Sequence, residues 1–248
     1  MVGGRWQRWT RLWRVLFVGA ALACFGGCGE SGQNPPNLPE IQFEIVPQLG
    51  GPIRFAVDEV HAGDRIFRSL AGQEIVATAP FQIYVENGSS PFGLTLRLLD
   101  PAPALVRYRL TGTLGPAAVL VEQVGVPITI GSPALPSARA ARPEARLDVC
   151  APVVGQTNCS PFDGQSTFGV AFSGTIGDTQ ITRALGRASS DETSTTTPAV
   201  IFFPDPQDTI AAIIRAVDAR PLQLELWLDG RRAGRAIGSG TVVVRTDL

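Results

Sequence analysis

The chain has 248 residues, 44% of them hydrophobic, and a net charge of −1, which is typical of a globular protein rather than a disordered one. All 21 basic residues are arginines, and they do not form the basic stripe that nucleic-acid binding requires. We therefore expect no nucleic-acid partner.

The first 27 residues have the order of a secretory signal peptide. Eleven apolar or small residues, 15–25, follow a segment with four arginines and no acid: Arg5, Arg8, Arg11 and Arg14. A charged segment followed by an apolar one of this length is the pattern of such signals. Eleven helical residues cover only about half of a ~30 Å hydrocarbon core, so we predict that residues 1–27 are removed rather than retained as a membrane span.

Two cleavage patterns overlap at the end of this segment. Ala21-Leu22-Ala23 fits ordinary signal peptidase, which would leave a secreted or periplasmic chain. Phe25-Gly26-Gly27-Cys28 resembles the lipobox of bacterial lipoprotein precursors, and the four residues that end at Cys24 fit it loosely. The resemblance implies a lipid on Cys28, with Cys24 as the alternative, and a flexible tether over residues 28–40.

The same resemblance implies a place in the cell. Several acyl chains on one cysteine would hold the protein on a membrane, because each buried methylene contributes about 0.8 kcal/mol. Gly29, rather than aspartate, follows Cys28, and in sorted lipoproteins this implies the outer membrane, facing the periplasm or the exterior. Partners would then be the membrane, through the anchor, and an envelope protein or polysaccharide.

Alternation of apolar and polar residues dominates the remaining chain. Apolar side chains at every second position predict half-buried antiparallel strands in six rows: Ile41-Phe43-Ile45, Phe81-Ile83-Val85, Leu94-Leu96-Leu98, Val106-Tyr108-Leu110, Phe168-Val170-Phe172 and Leu222-Leu224-Leu226-Leu228. Turn residues predict one hairpin over 81–98, around Asn87-Gly88, and another from 222–228 through Asp229-Gly230 to 241–246. We predict an all-β fold of antiparallel, Ig-like β-sandwich type.

One segment departs from the alternation. Ile210, Ile213, Ile214 and Val217 recur at helical spacing, Asp208 could cap the N-terminus, and Pro221 would stop the continuation. This pattern predicts one short helix near 208–219, packed against the sheet.

The mature chain is long enough for one large domain or two small ones. Residues 132–145 are rich in proline, alanine and arginine and interrupt the strand pattern. We predict a β-sandwich domain over 41–131, a linker over 132–145 and a second sandwich domain with the helix over 146–248. The alternative is one large sandwich over 41–248.

Two cysteines of the mature chain enclose a segment with turn-forming residues. Cys150 and Cys159 flank APVVGQTN, and in an oxidising compartment such a pair predicts a disulfide. The alternatives are reduced thiols or half of a metal site, but no second cysteine pair or histidine cluster completes one.

Two aromatic residues lie on the polar rows of their strands. Trp227 and Tyr84 alternate with the apolar rows of 222–228 and 81–85, so they are candidate ligand contacts that could stack on a sugar ring or anchor a protein partner. The alternative is that a second layer covers these rows and buries both rings.

Catalytic and metal chemistry has little support. His61 is the only histidine and no serine lies in a G-x-S-x-G motif, so we predict no catalytic residue and no cofactor. Asp58, His61 and Asp64 are the densest set of metal-capable side chains, but their spacing matches no Ca²⁺ loop and favours a solvated turn. We expect a non-catalytic binding or structural ectodomain. A carbohydrate-binding module and an extracytoplasmic hydrolase, whose paired acids any two strands could supply, are the alternatives.

Overall fold

The strands of the protein follow the alternating rows of the sequence. A computed structural model describes residues 41–85, 90–110, 117–132, 136–159, 162, 168–176, 179–185, 199–203, 209–216 and 220–247. Within these ranges there are 18 strands and no helix: β1 Ile41–Pro47, β2 Ile53–Ala62, β3 Arg65–Phe67, β4 Ile75–Ala77, β5 Phe81–Val85, β6 Phe92–Leu98, β7 Ala104–Leu110, β8 Ala117–Val121, β9 Ile128–Gly131, β10 Arg139–Ala140, β11 Ala145–Cys150, β12 Phe168–Ile176, β13 Thr179–Leu185, β14 Ala199–Phe203, β15 Thr209–Ala216, β16 Leu222–Leu228, β17 Arg231–Gly238 and β18 Thr241–Asp247. The predicted all-β class is confirmed.

These strands form three sheets. The central sheet has eight strands in the order β17-β16-β11-β14-β5-β1-β7-β8. A six-stranded sheet has the order β10-β3-β2-β6-β9, with β4 beside β2, and a four-stranded sheet has the order β13-β12-β15-β18.

A first core fills the space between the central and six-stranded sheets. Phe43 and Phe81 of the central sheet and Phe55 and Leu94 of the six-stranded sheet belong to one buried cluster. The rings of Phe55 and Phe81 meet edge to face, with centroids 5.5 Å apart. This face-to-face packing confirms the predicted sandwich arrangement.

A second core covers the opposite face of the central sheet. Leu147 and Leu224 of the central sheet cluster with Ile210 of β15 and Val244 of β18. Strands β5, β11 and β14 are consequently buried at every position, and so are the first five residues of β16. The predicted half-buried character is wrong for β5 and for the first five residues of β16, because a sheet with a layer on each face has no solvent side.

The predicted helix near 208–219 is wrong. Residues 209–216 form β15, which pairs antiparallel with β12 on one side and with β18 on the other. Ile210 and Ala212 are buried in the second core, which is the period of a strand. The segment fits both periods because Ile213 and Ile214 are adjacent, and β-branched residues favour the strand once two neighbours satisfy its backbone.

The predicted antiparallel pairing holds for most strand pairs but not for all. β5 pairs in parallel with β14, and β3 pairs in parallel with β10, so two of the sheets are mixed. This strand order does not establish the Ig-like topology.

Both predicted hairpins need correction. β5 and β6 lie in different sheets, so 81–98 is a crossover between layers, and Asn87-Gly88 lies outside the described residues. The turn at Asp229-Gly230 is present, with φ values of 46° and 75°, as a two-residue hairpin turn requires. It leads into β17 and not into 241–246.

The central sheet crosses the predicted domain boundary. It takes β1, β5, β7 and β8 from the predicted first domain and β11, β14, β16 and β17 from the second. The predicted linker contains β10, and the described residues all belong to one compact unit. A continuous sheet is expected if the chain forms the alternative, one large sandwich over 41–248. The two-domain division stays a prediction.

The described part of the chain contains no candidate membrane-spanning helix. No helix there has the length and apolar character needed to cross a bilayer.

Candidate ligand-binding cleft

A cleft of about 410 Å³ opens beside strands β11 and β16 of the central sheet. Its lining combines charged, amide and aromatic side chains: Gln73, Glu74, Arg146, Asp148, Asn158, Phe162, Glu225 and Trp227. The volume lies within the range of sites for small molecules.

The alternation of two strands places four of these side chains together. In the antiparallel register of β11 and β16, Arg146 lies opposite Trp227 and Asp148 lies opposite Glu225. The intervening residues, such as Leu147 and Leu224, point into the second core. Because successive strand side chains point to opposite faces, the polar row of both strands faces the cleft.

Arg146 and Asp148 form a buried bidentate ion pair. Nε of Arg146 lies 2.8 Å from Oδ1 of Asp148, and Nη2 donates to Oδ2 at 2.9 Å. Nη1 donates to the carbonyl oxygen of Ser69 at 2.7 Å. The exposed fractions of the two residues are 1% and 3%. The protein therefore hydrogen-bonds Nη1 and Nη2 of the guanidinium, whereas Nε and Oδ1 are close but make no hydrogen bond. Breaking the pair would leave an uncompensated buried charge.

Arg146 also contacts the ring of Trp227, which lines the cleft. Its guanidinium carbon lies 5.0 Å from the centroid of the Trp227 ring system, within the range of a cation–π contact. The backbone N–H of Ser69, whose carbonyl holds Arg146, donates to Oε1 of Glu144 at 2.7 Å. A chain of contacts therefore fixes the tryptophan, which remains partly exposed.

Glu225 is buried but incompletely satisfied. Its exposed fraction is 0%. Oε1 accepts a hydrogen bond from Nε2 of Gln223 at 2.8 Å and lies 3.5 Å from Nη1 of Arg232. Oε2 has no hydrogen-bond partner among the described residues, and neither has the indole Nε1 of Trp227. Nε of Arg146 and Oδ1 of Asp148 also lack a hydrogen bond, but they lie 2.8 Å from each other in an ion pair. Leaving a buried polar group unpaired costs about 1–3 kcal/mol, so Oε2 and the indole Nε1 mark where a ligand or water would bind.

The electrostatics of the cleft favour the neutral form of one acid. Burial raises the pKa of Asp148 to about 6, Arg146 opposes that rise, and the charge of Glu225 adds to it. The buried groups here are the carboxyl groups of Asp148 and Glu225, at facing strand positions, and the guanidinium of Arg146. Acidic groups therefore outnumber basic groups among them.

The disulfide predicted from the sequence borders the cleft. Cys150 and Cys159 are bonded, with Cα atoms 5.6 Å apart, and both are buried. The bridge closes the loop that carries Asn158, one of the lining residues. The predicted pairing is confirmed.

The two aromatic candidates have different surroundings. Trp227 lines the cleft. Tyr84 is buried in the second core, and its hydroxyl group donates to Oε1 of Gln82 and accepts from Nε2 of Gln42 at 3.3 Å. A second layer therefore covers the row that contains Tyr84, as the alternative interpretation expected. Tyr84 does not reach the cleft.

The metal-capable residues of the sequence are separated into ion pairs. Asp58 pairs with Arg97 at 3.0 Å and Asp64 with Arg139 at 3.3 Å. Nε2 of His61 lies 3.0 Å from Oε2 of Glu59. Across the described ranges no three His, Cys, Asp or Glu side chains come together in a metal-binding group. Most of DEVHAGD belongs to β2 and not to a solvated turn.

Sequence reasoning did not identify Asp148 and Glu225. Their signal was the presence of charged residues in two otherwise apolar strands, Arg146 and Asp148 in ARLDVC and Glu225 in LQLELWL. The predicted lipid-attachment residues, Cys28 and Cys24, lie outside the described residues. Comparison of the chain with family models, with curated proteins and with solved structures finds no match.

Proposed function

We propose that the protein is an envelope-anchored bacterial lipoprotein whose β-sandwich ectodomain, Ig-like in the broad sense, binds a carbohydrate in the cleft without catalysis. The observation that carries this proposal is the partly exposed Trp227 beside Glu225, whose Oε2 is buried and unpaired among the described residues. An aromatic ring supplies a large contact area at a low entropic cost. Carboxylate oxygens accept hydrogen bonds, and sugar hydroxyl groups can donate them.

Retention on polysaccharide tests the binding role. We expect Trp227→Ala to lower the affinity of the full chain at least tenfold for an envelope polysaccharide that the wild type binds. Trp227 is a partly exposed aromatic ring in the cleft lining, and such aromatic anchors contribute much of the binding energy at interfaces. Leu120→Ala is the matched control, since Leu120 is exposed on β8 and outside the cleft lining. Unchanged retention of Trp227→Ala, or no retention of the wild type on any envelope polysaccharide, would contradict the proposal.

Lipid labelling tests the anchor. Radiolabelled palmitate should enter the wild-type protein in its host and be lost in Cys28→Ala, because only a thiol at the lipobox cysteine can carry the diacylglycerol. Cys24→Ala is the matched control and should keep the label. The reverse pattern would assign Cys24 instead, and an unlabelled wild type would contradict anchoring and leave a secreted or periplasmic protein.

A second candidate function is hydrolysis of an envelope polysaccharide. The observation in its favour is that Asp148 and Glu225 face each other in register, with one pKa raised to about 6, as paired acids of glycosidases require. Asp148 is tied up in the ion pair with Arg146, with one oxygen hydrogen-bonded and the other 2.8 Å from Nε, which favours binding over catalysis. Release of new reducing ends that is lost in Glu225→Gln would support the hydrolase, and a polysaccharide bound without cleavage would exclude it.

A further inference from the structure

We propose that the saccharide bound in the cleft carries a protonated amine, as an amino sugar does, and that the amine binds at Oε2 of Glu225. This inference rests on the proposed carbohydrate-binding function and specifies the class of sugar. It depends on three features of the cleft: an unpaired carboxylate oxygen, more acidic than basic groups in the lining, and the ring of Trp227.

The unpaired acceptor is the first feature. Glu225 has an exposed fraction of 0%, lines the cleft, and has no hydrogen-bond partner for Oε2 within the part of the chain that is described. A buried carboxylate oxygen needs a donor, and a cationic donor forms the stronger bond. A protonated amine supplies three donors and a positive charge.

The charge balance of the lining is the second feature. Three carboxylates line the cleft, those of Glu74, Asp148 and Glu225, against the single guanidinium of Arg146 among the described lining residues. The ion pair of Arg146 is with Asp148 and its Nη1 bonds to Ser69, and among the described residues no ion pair joins it to Glu225.

Two arginines at the rim of the cleft neutralise Glu74 and Glu225 only in part. Arg54 bonds to Glu74 at 2.7 Å, with half of its side chain exposed. Arg232 lies 3.5 Å from Glu225, with 39% of its side chain exposed. Solvent screens such exposed charges, so a cation within the cleft gains attraction that they do not cancel.

The tryptophan is the third feature, and it limits the ligand to a ring-bearing molecule. Trp227 follows Glu225 by two residues on β16, so both side chains lie on the same face of the strand. A sugar that stacks on the indole would bring a ring substituent to the neighbouring carboxylate, and Nε1 of Trp227 offers a donor for a sugar oxygen. A linear polyamine would use the charge and leave the ring unused.

Four probes test this assignment on the full chain purified in detergent. The probes are a glucosamine tetramer, its N-acetylated counterpart, a glucose tetramer and tetralysine, and titration calorimetry measures their affinities. We expect the glucosamine tetramer to bind about tenfold more tightly than either neutral sugar, because a hydrogen bond to a charged group is worth about that factor. Tetralysine should bind more weakly than the glucosamine tetramer.

Three variants connect the preference to Glu225. Glu225→Gln keeps the shape of the side chain and should abolish the preference for the amine. Glu44→Gln is the matched control, because Glu44 is a strand carboxylate paired with Arg107 at 3.2 Å, outside the cleft lining, and it should keep the preference. Arg232→Gln removes a competing cation at the rim and should increase the preference, which keeps the test decisive if Glu225→Gln fails to fold.

The outcomes separate the two proposals. Equal affinity for charged and neutral sugars would overturn the amine assignment and leave carbohydrate binding intact. Tetralysine binding as tightly as the glucosamine tetramer would show a charge-only site and overturn both proposals, as would the absence of binding to all three sugars.

Discussion

The buried ion pair of Arg146 and Asp148 determines the chemistry of the cleft. Buried charge pairs seldom add net stability, because desolvation costs as much as the attraction returns. The pair instead places a guanidinium against Trp227 and keeps Asp148 beside Glu225. An apolar pair of the same volume would keep the fold and lose this arrangement.

Asp148 should give the stability of the protein a distinct pH dependence. Its pKa is about 6 in the folded protein, whereas the ordinary value for an aspartate side chain is 3.8. Between these values the folded chain therefore binds more protons than the unfolded chain. The free energy of unfolding contributed by this group falls as the pH rises from about 4 to 6. Its destabilising effect is complete above about pH 6.

The Asp148→Asn variant isolates that contribution. Urea titrations at several pH values should show the stability of the variant, relative to the wild type, rising from about pH 4 to 6 and then remaining constant. Glu74, whose pKa is lowered by its hydrogen bond to Arg54, is common to both proteins and cancels in the difference. A difference that is flat across this pH range would contradict the raised pKa.

At the scale of single elements, β11 and β16 show how a strand can serve a core and a site together. Leu147 and Leu224 on one face pack into the second core, and the opposite face supplies Asp148 and Glu225 to the cleft. A slip of one residue in the register would move the charged row into the second core, so the leucine row also secures the cleft geometry.

The disulfide between Cys150 and Cys159 should contribute measurable stability. Closing a loop of this size restricts the unfolded chain by about 2–3 kcal/mol. We expect the double variant Cys150→Ala, Cys159→Ala to lose about that much free energy of unfolding in a denaturant titration. Reduction should destabilise the wild type by a similar amount and leave the stability of the double variant unchanged. Equal stability of the wild type and the double variant without a reductant would contradict this role.

At the scale of the whole molecule, the central sheet joins both halves of the chain. β14 pairs with β11 on one side and with β5 on the other, so a strand from the second half connects the two predicted domain ranges. Phe202 of this strand is fully buried, and its ring centroid lies 4.9 Å from that of Phe67 in the six-stranded sheet.

This arrangement predicts cooperative unfolding. The full chain should show a single denaturant transition by tryptophan fluorescence and by circular dichroism. Phe202→Ala should shift the whole transition with a loss of about 3–5 kcal/mol, the cost of truncating a buried aromatic ring. Leu120→Ala, at an exposed position, should change stability by less than about 0.5 kcal/mol. Two separate transitions would instead support domains over 41–131 and 146–248.

The sequence by itself determined the features that depend on near neighbours. Alternating rows such as Ile41-Phe43-Ile45 specify strands because burial of one face requires period two. Asp229-Gly230 specifies a tight turn because both residues tolerate positive φ, and the short loop between Cys150 and Cys159 brings the two thiols together.

Only the tertiary structure decided which strands pair and which faces are covered. Residues 209–216 fit a helix or a strand equally well until β12 and β18 supply hydrogen bonds on both sides. The burial of Tyr84 and the meeting of Asp148 with Glu225 depend on partners distant in the chain. Such contacts follow from the packing of whole sheets, and local sequence patterns do not encode that packing.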